Sequence, residues 1–463
     1  MENFLQAIEA GIKAYNNFVG GYALLVLLIP TGIFFAVKYK FLHLTKLKHS
    51  INVIRGKFDK KDDEGDINHF RALTTALSAT VGTGNIVGVA LAIYWGGPGA
   101  IFWMWVTGLF GMIVKFVECT LSMKFRHINE DGTVSGGPMY YMEFGLKDKL
   151  GKFAKVLAVV FAAATMVCAL GTGNMAQSNS ISDALLTNYN IPVWSTGLVL
   201  TGLVLLVIIG GIKRIASVTA RLVPFMAIVY FISALAVILF NYQDVPQAFA
   251  LIFTDAFTGT AATGGFAGST FMLTLVWGVR RGLFSNEAGQ GSAAIAHAAA
   301  KTKHPVREGL VASVGPLVDT LIICTLTALL IVVTGAWKAD AQGVEMTIIG
   351  LSKGLTNLGL AHTGRHIIGA GLLLFAFSTM ISWSYYGSRA TYYLWGQKAV
   401  KPFRYVFGLF VFLGAIGEIE LVWHFVDMVI TFMTIPNLIA LLLLTPVVTK
   451  EIKKYFTEFK ELA

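Results

Sequence analysis

Two stretches of this chain place glycines beside hydrogen-bonding residues inside runs long and apolar enough to cross a bilayer. One is Val81-Gly82-Thr83-Gly84-Asn85, the other Trp277-Gly278-Val279-Arg280-Arg281-Gly282. A helix in lipid must satisfy its own backbone groups, and irregular backbone at that depth survives only where it lines a cavity or is buried in protein. An unwound Gly-Thr-Gly offers free N–H groups, which suit a carboxylate, and free carbonyls, which suit an ammonium or a small cation. Glycine also lets a ligand come close to the backbone. A zwitterion can be held this way without burying a formal protein charge. Gly84 and Gly88 alone would read as a helix-packing GxxxG pair, but Gly82, Thr83 and Asn85 around them favour binding.

The elements that must position these breaks follow from composition. Of 463 residues, 13% are charged and 55% apolar, whereas a soluble domain carries about 25% charged residues. The length is therefore divided by the roughly 20 residues of a membrane helix. Eleven spans are expected, at about 19–38, 70–94, 98–124, 153–183, 191–212, 216–241, 268–296, 308–335, 364–395, 402–417 and 420–448. The first run is preceded by Glu2 and Glu9 and followed by Lys38 and Lys40, the reverse of a signal peptide, so it reads as a retained helix. Cys119, Cys168 and Cys324 all fall within apolar runs and offer no disulfide framework.

With the amino terminus outside, 28 of the 36 Lys and Arg residues fall in inner loops and the tail, four outside and four within spans. That bias sets orientation and places the carboxyl terminus in the cytoplasm of a cell-membrane protein. The excess charge of +10 then faces anionic lipid, and nucleic acid is not an expected partner; no oligomer is implied. Residues 1–69 form an extra helix and a basic loop, 70–241 a first half, 242–267 an outer loop, 268–448 a second half and 449–463 a tail. Each half holds five spans and opens with its interrupted helix. Five is odd, so the halves run in opposite directions. This is the layout of an inverted repeat, and paired broken helices in it point to a secondary transporter's binding site.

The stretches Ser78-Ala79-Thr80-Val81-Gly82-Thr83-Gly84-Asn85-Ile86 and Arg281-Gly282-Leu283-Phe284-Ser285-Asn286-Glu287-Ala288-Gly289 resemble the alanine or glycine:cation symporters. The resemblance covers nearly the whole chain. It implies an all-α fold of the LeuT type, a 5+5 inverted repeat behind one extra amino-terminal helix. It also implies uptake of small neutral amino acids driven by sodium, sometimes by protons. On that resemblance, the N–H groups of Thr83 and Gly84 beside Gly82 hold the substrate carboxylate. The Thr80 carbonyl takes the amine, Asn85 binds substrate or a cation, and Phe271, Thr274, Trp277 and Gly278 line the pocket. A sodium ion would be held by carbonyls of Ser78, Val81 and Phe375 and hydroxyls of Ser378 and Thr379.

Further expectations come from the residues. Trp383 lies one turn beyond Thr379 on the same face, and with Trp277 it would cap the substrate side chain. Gln177, one turn after Asn174, would meet the substrate or make an interhelical bond. Lys115, Glu118, Glu287, Asp319 and Asp427 are ionisable residues in or near spans, and such residues are functional by default. Arg280, Arg281 and Arg389 are expected towards the cytoplasmic side, as an inner gate or as snorkelling cations. The loops at 241–267 and 336–363 are expected to carry short amphipathic lids. No HExxH, Walker motif or repeated filter sequence is present, which argues against a metalloprotease, an ATP-driven pump and a channel. The alternative to sodium coupling is proton coupling, or another small solute, through Asp319 and Glu287.

Overall fold

The computed structural model describes residues 10–16, 18–60, 63–129, 132–258, 271–356, 359–417 and 420–459. The expected outer position of the amino terminus, the end of the 242–267 loop, residues 268–270, the 418–419 junction and the last four residues of the tail lie outside them. The protein is almost entirely helical. The helices used below are α1 (Leu24–Lys38), α2 (His69–Thr80), α3 (Val89–Gly96), α4 (Ala100–Lys124), α5 (Pro138–Gly145), α6 (Lys152–Leu170), α7 (Ala176–Tyr189), α8 (Val193–Ile208), α9 (Gly211–Phe240), α10 (Val245–Thr258) and α11 (Phe271–Asn286). They continue with α12 (Ser292–His297), α13 (Pro305–Pro316), α14 (Thr325–Val333), α15 (Gly343–Gly354), α16 (Thr363–Trp395), α17 (Gln397–Ile416), α18 (Glu420–Leu443) and α19 (Thr445–Glu458).

Local chemistry sets the ends. Asn68 caps α2 by accepting from the Arg71 N–H at 2.9 Å, as short polar residues do at helix starts. Pro305 opens α13, where its missing N–H costs nothing. Asn190 ends α7 and Gly396 ends α16, each at positive φ. Among the described residues, eight helices are long and apolar enough to cross a membrane, and nine if α2 and α3, bent by 54°, form one span. Large apolar side chains are exposed along the outer faces of α8 (Leu198, Val199, Leu203, Leu206) and α9 (Phe225, Ile228, Ile232, Leu239). So broad an apolar belt suits lipid as its solvent.

At the centre α4 packs against α11 and α13, α2 against α9 and α16, and α6 against α16 and α18. Short helices, α10 and α15, stand in the two loops for which lids are expected. The 125–150 loop is a two-residue strand pair, His127–Ile128 with Val134–Ser135, followed by the buried α5.

One expectation is overturned. Residues 277–282 do not unwind but lie within α11. The chain leaves helix ten residues later, between α11 and α12, where Glu287, Gly289 and Gly291 take positive φ values of 53°, 86° and 77°. Gly278 and Gly282 serve helix packing instead. A Cβ on Gly278 would stand 2.3 Å from the Ala100 carbonyl oxygen, and one on Gly282 would stand 2.0 Å from the Thr107 hydroxyl.

Candidate functional site

The first break is where the sequence places it. α2 stops at Thr80, Val81 turns out of the helix at ψ 87°, and a π-helical turn, Gly84–Gly88, leads into α3. All of 78–86 is buried, so the irregular backbone is surrounded by protein, as lipid chemistry requires. The Gly82 N–H donates to Asn85 Oδ1 at 2.9 Å, which closes the turn. A Cβ at Gly82 would stand 2.5 Å from the Thr379 hydroxyl and 3.8 Å from Gln177 Oε1. Gly82 thus keeps open the space between α2, α7 and α16.

Next to it four oxygens converge. The Ser378 hydroxyl donates to the Phe375 carbonyl at 2.8 Å and lies 3.3 Å from the Ser78 carbonyl. The Thr379 hydroxyl reaches the same two carbonyls, at 3.0 Å and 3.2 Å. The Ser78 hydroxyl donates to the Ser378 carbonyl at 2.7 Å. Four neutral oxygens from two helices in one buried place are the donor set a hard cation prefers. Val81 stands just beyond, at the end of α2.

Gln177 Oε1, Thr83 Oγ1 and Thr172 Oγ1 are buried without a hydrogen-bond partner among the described residues, an arrangement that native proteins reserve for ligands, water or strain. Gln177 donates its Nε2 to the Thr172 carbonyl at 3.0 Å. Thr172 belongs to a break the sequence reading passed over, a π-helical turn at Gly171–Met175 between α6 and α7. A signal for it existed, since Gly171-Thr172-Gly173-Asn174 repeats the tetrapeptide Gly82-Thr83-Gly84-Asn85. Gly173 lets Trp383 pack onto this turn, for a Cβ there would come within 2.3 Å of the indole.

Other expected residues are elsewhere. Phe271 meets Trp103, Trp277 stacks on Trp95, and Gly278 packs on α4. Thr274 is buried beside Gly96. None of the four is brought to Gly82; the α11 residues that face the first break are Phe284 and Ser285, beside Gly84. The cause is the later break, which moves the second unwound segment one long step down the chain. Asn85 is occupied, too. Its Nδ2 donates to Asp319 Oδ1 and lies 3.4 Å from the Ser285 hydroxyl. Asp319 Oδ2 accepts from Ser285 at 2.8 Å and from Thr320 at 3.1 Å, so Asp319 ties the first break to α11 and to the π-helical turn that follows α13.

The second break is held by carboxylates. Glu287 accepts from Trp383 Nε1 at 3.1 Å and from the Ser292 hydroxyl at 2.5 Å. Glu118 accepts from Asn437 Nδ2 at 2.6 Å, and Asn437 also donates to the Gly289 carbonyl at 2.9 Å. Trp383 therefore bridges the second and third breaks.

Arg280 and Arg281 belong to the half-helix before the second break. Arg280 pairs with Asp427 at 2.9 Å. Arg281 stacks on Trp277 and Phe284 and lies 4.0 Å from where a Gly88 Cβ would be. A cavity of about 540 Å³ opens here, with Thr83, Val87 and Gly88 on one wall and Arg281, Gln342, His424 and Asp427 on others. Arg389 lies 3.3 Å from the Ser135 hydroxyl.

Residues 5–462 match the profile of the sodium:alanine symporter family. The chain belongs to that family. It is a sodium-coupled amino-acid symporter, a multi-pass membrane transporter and not an enzyme. It is 44% identical to the sodium/alanine symporter AgcS of Methanococcus maripaludis, over 96% of each chain. It is 36% identical to the probable sodium/glutamine symporter GlnT of Bacillus subtilis, over 98% of this chain and 92% of that one. It is 33% identical to the amino-acid carrier protein AlsT of Bacillus subtilis, over 100% and 94%. Among solved structures, a Na⁺-coupled sialic acid symporter in a substrate-bound outward-open state superposes with a TM-score of 0.52 at 13% identity, covering 85% of this chain and 80% of that one. That likeness concerns the fold.

Proposed function

We propose that this symporter carries small neutral amino acids, alanine or glycine, into the cell with sodium by alternating access. The observation that carries the reading is the buried polar site around Gly82. Sodium would take the lone pairs of the Ser78 and Phe375 carbonyls and the Ser378 and Thr379 hydroxyls, with the Val81 carbonyl turned towards it. The substrate carboxylate would lie on the N–H groups of Thr83 and Gly84, its ammonium on the Thr80 carbonyl and the bare Gln177 Oε1. The backbone cradle and the Gln177 amide carry no formal charge, which suits a zwitterion with an uncharged side chain. Trp383 closes it by bulk. A relative named for glutamine points to side-chain walls, not the backbone cradle, as the part that sets substrate size.

The proposed frame has eleven spans. The bent pair α2/α3, the shorter α8 and the broken pair α11/α12 would add to the long helices, with one extra helix before a 5+5 inverted repeat. Basic loops would face the cytoplasm.

The test is uptake of labelled alanine into proteoliposomes under a sodium gradient and, separately, under a proton gradient. Uptake should follow sodium, and Ser378→Ala or Thr379→Ala should lower sodium affinity at least tenfold, about the loss of one charge-assisted contact. Uptake that follows the proton gradient alone, or sodium affinity unmoved in both variants, overturns the reading.

A further inference from the structure

Away from the substrate site, three buried ionisable side chains meet where the two broken spans come together. Glu308, in the first turn of α13, accepts from His69 Nδ1 with one oxygen and from His297 Nδ1 with the other, the latter at 2.5 Å. His69 opens α2 and His297 ends α12. All three are at most 1% exposed. The same two half-helices are joined through their backbones. Residues 65–67 lie along 299–301, with the Asp66 N–H donating to the Ala299 carbonyl at 2.8 Å and the Lys301 N–H to the Ile67 carbonyl at 2.8 Å. Arg126 staples the junction through the Ala300 and Thr302 carbonyls.

We propose that His69–Glu308–His297 is a proton-binding clasp that holds the half-helices α2 and α12 together, so that release of its proton favours opening of the path beneath the first break. A buried carboxylate flanked by two neutral imidazoles is an uncompensated charge, which is costly in a low-dielectric interior. One extra proton makes an imidazolium and neutralises the cluster. When α2 and α12 part, the imidazoles meet water, where histidine loses that proton near neutral pH. Closing thus takes up a proton and opening gives it back. A route to solvent exists at Asp59, half-exposed and 3.7 Å from His69 Nε2.

The other charged and titratable groups facing the cluster do not supply the missing cation directly. Arg307 approaches His69 from α13, but its guanidinium is spent on the Phe58 carbonyl and the Tyr455 hydroxyl. Arg126 and Cys119 approach Glu308 from the α4 side, with Arg126 bonded to carbonyls. His49 lies behind Arg307 and bonds to Tyr455. Asp63, Asp66 and Glu64 act on Arg126.

The role in opening rests on the alternating-access reading above, so the test does not use transport. Thr74 lies one turn below Ser78 on the same face of α2 and is buried. Full-length protein carrying Thr74→Cys is purified in detergent, where sidedness does not matter, and reacted with a polar thiol reagent at about pH 6 and about pH 8. The native cysteines are buried, and protein without the Thr74→Cys substitution is labelled in parallel and its rate subtracted. The same thiol in a His69→Asn/His297→Asn background, which keeps both donors to Glu308 but cannot titrate, cancels the reagent's own pH dependence.

The ratio of native-cluster to double-variant rates should fall roughly threefold or more from pH 8 to pH 6, within the tenfold per pH unit that one linked proton allows. Should the double variant not fold, Glu308→Gln gives the same comparison, since its carboxamide can still bond both rings. A ratio independent of pH, or no labelling at either pH, overturns the clasp. A failure of sodium-driven alanine uptake with the pH-dependent ratio intact would sink the substrate assignment and leave the clasp standing.

Discussion

Trp383 shows how much one side chain can be asked to do here. Its indole is buried, packs against the bare backbone of Gly173 and donates to Glu287. It touches the third break with its ring and the second with its nitrogen. Trp383→Phe should keep the ring packing and lose only the bond, leaving a buried carboxylate oxygen short of a donor at a cost of about 1–3 kcal/mol. A clear fall in melting temperature is expected in detergent. A variant as stable as the parent would mean the Glu287 bond contributes nothing. Gly173→Ala should be worse, because the new methyl would meet the indole at 2.3 Å and neither partner has room to retreat.

At the scale of elements, the helices and the first break were legible because glycine, threonine and asparagine interrupt an apolar run too long to be a loop. The second break was misplaced for a physical reason. Glycine in a membrane helix has two uses, close packing and unwinding, and sequence alone does not separate them. Gly278 and Gly282 pack against α4, while Gly289 and Gly291 turn the chain. The third break carries the repeated Gly-Thr-Gly-Asn, but it stands in the middle of a long apolar run, where glycine serves close packing as readily as unwinding. The short elements under α1 could not be read from hydropathy at all. His43 is buried with neither ring nitrogen partnered among the described residues, and His49 bonds Tyr455 of α19 at 2.7 Å. Burial pushes both imidazoles down to about 4, helped at His49 by Arg307 and Lys46. Because the folded values lie below the unfolded value near 6.5, the folded state binds fewer protons. Stability is then full above about pH 6.5 and is lost as pH falls towards 4, by roughly 3 kcal/mol per histidine at most. His43→Leu should therefore raise the melting temperature more at about pH 5 than at about pH 7.5. An equal gain at both would show that the ring's protonation plays no part.

At the scale of the whole molecule, the distribution of Lys and Arg makes a claim that the packing of helices does not. In the proposed frame basic residues cluster at one end of the spans, and the odd number of crossings in each half would put its two ends on opposite sides. Between Asp148, exposed ahead of α6, and Glu345, exposed in the first turn of α15, the proposed frame has five crossings: α6/α7, α8, α9, α11/α12 and α13/α14. The two positions must then face opposite compartments. With native cysteines buried, a membrane-impermeant thiol reagent on intact cells should label Glu345→Cys and spare Asp148→Cys until the membrane is permeabilised. The reverse pattern would turn the molecule over, placing the Gln342–Asp427 cavity inside and the histidine clasp outside. Labelling of both from one side would break the odd count itself, and with it the inverted relation proposed for α2/α3 and α11/α12.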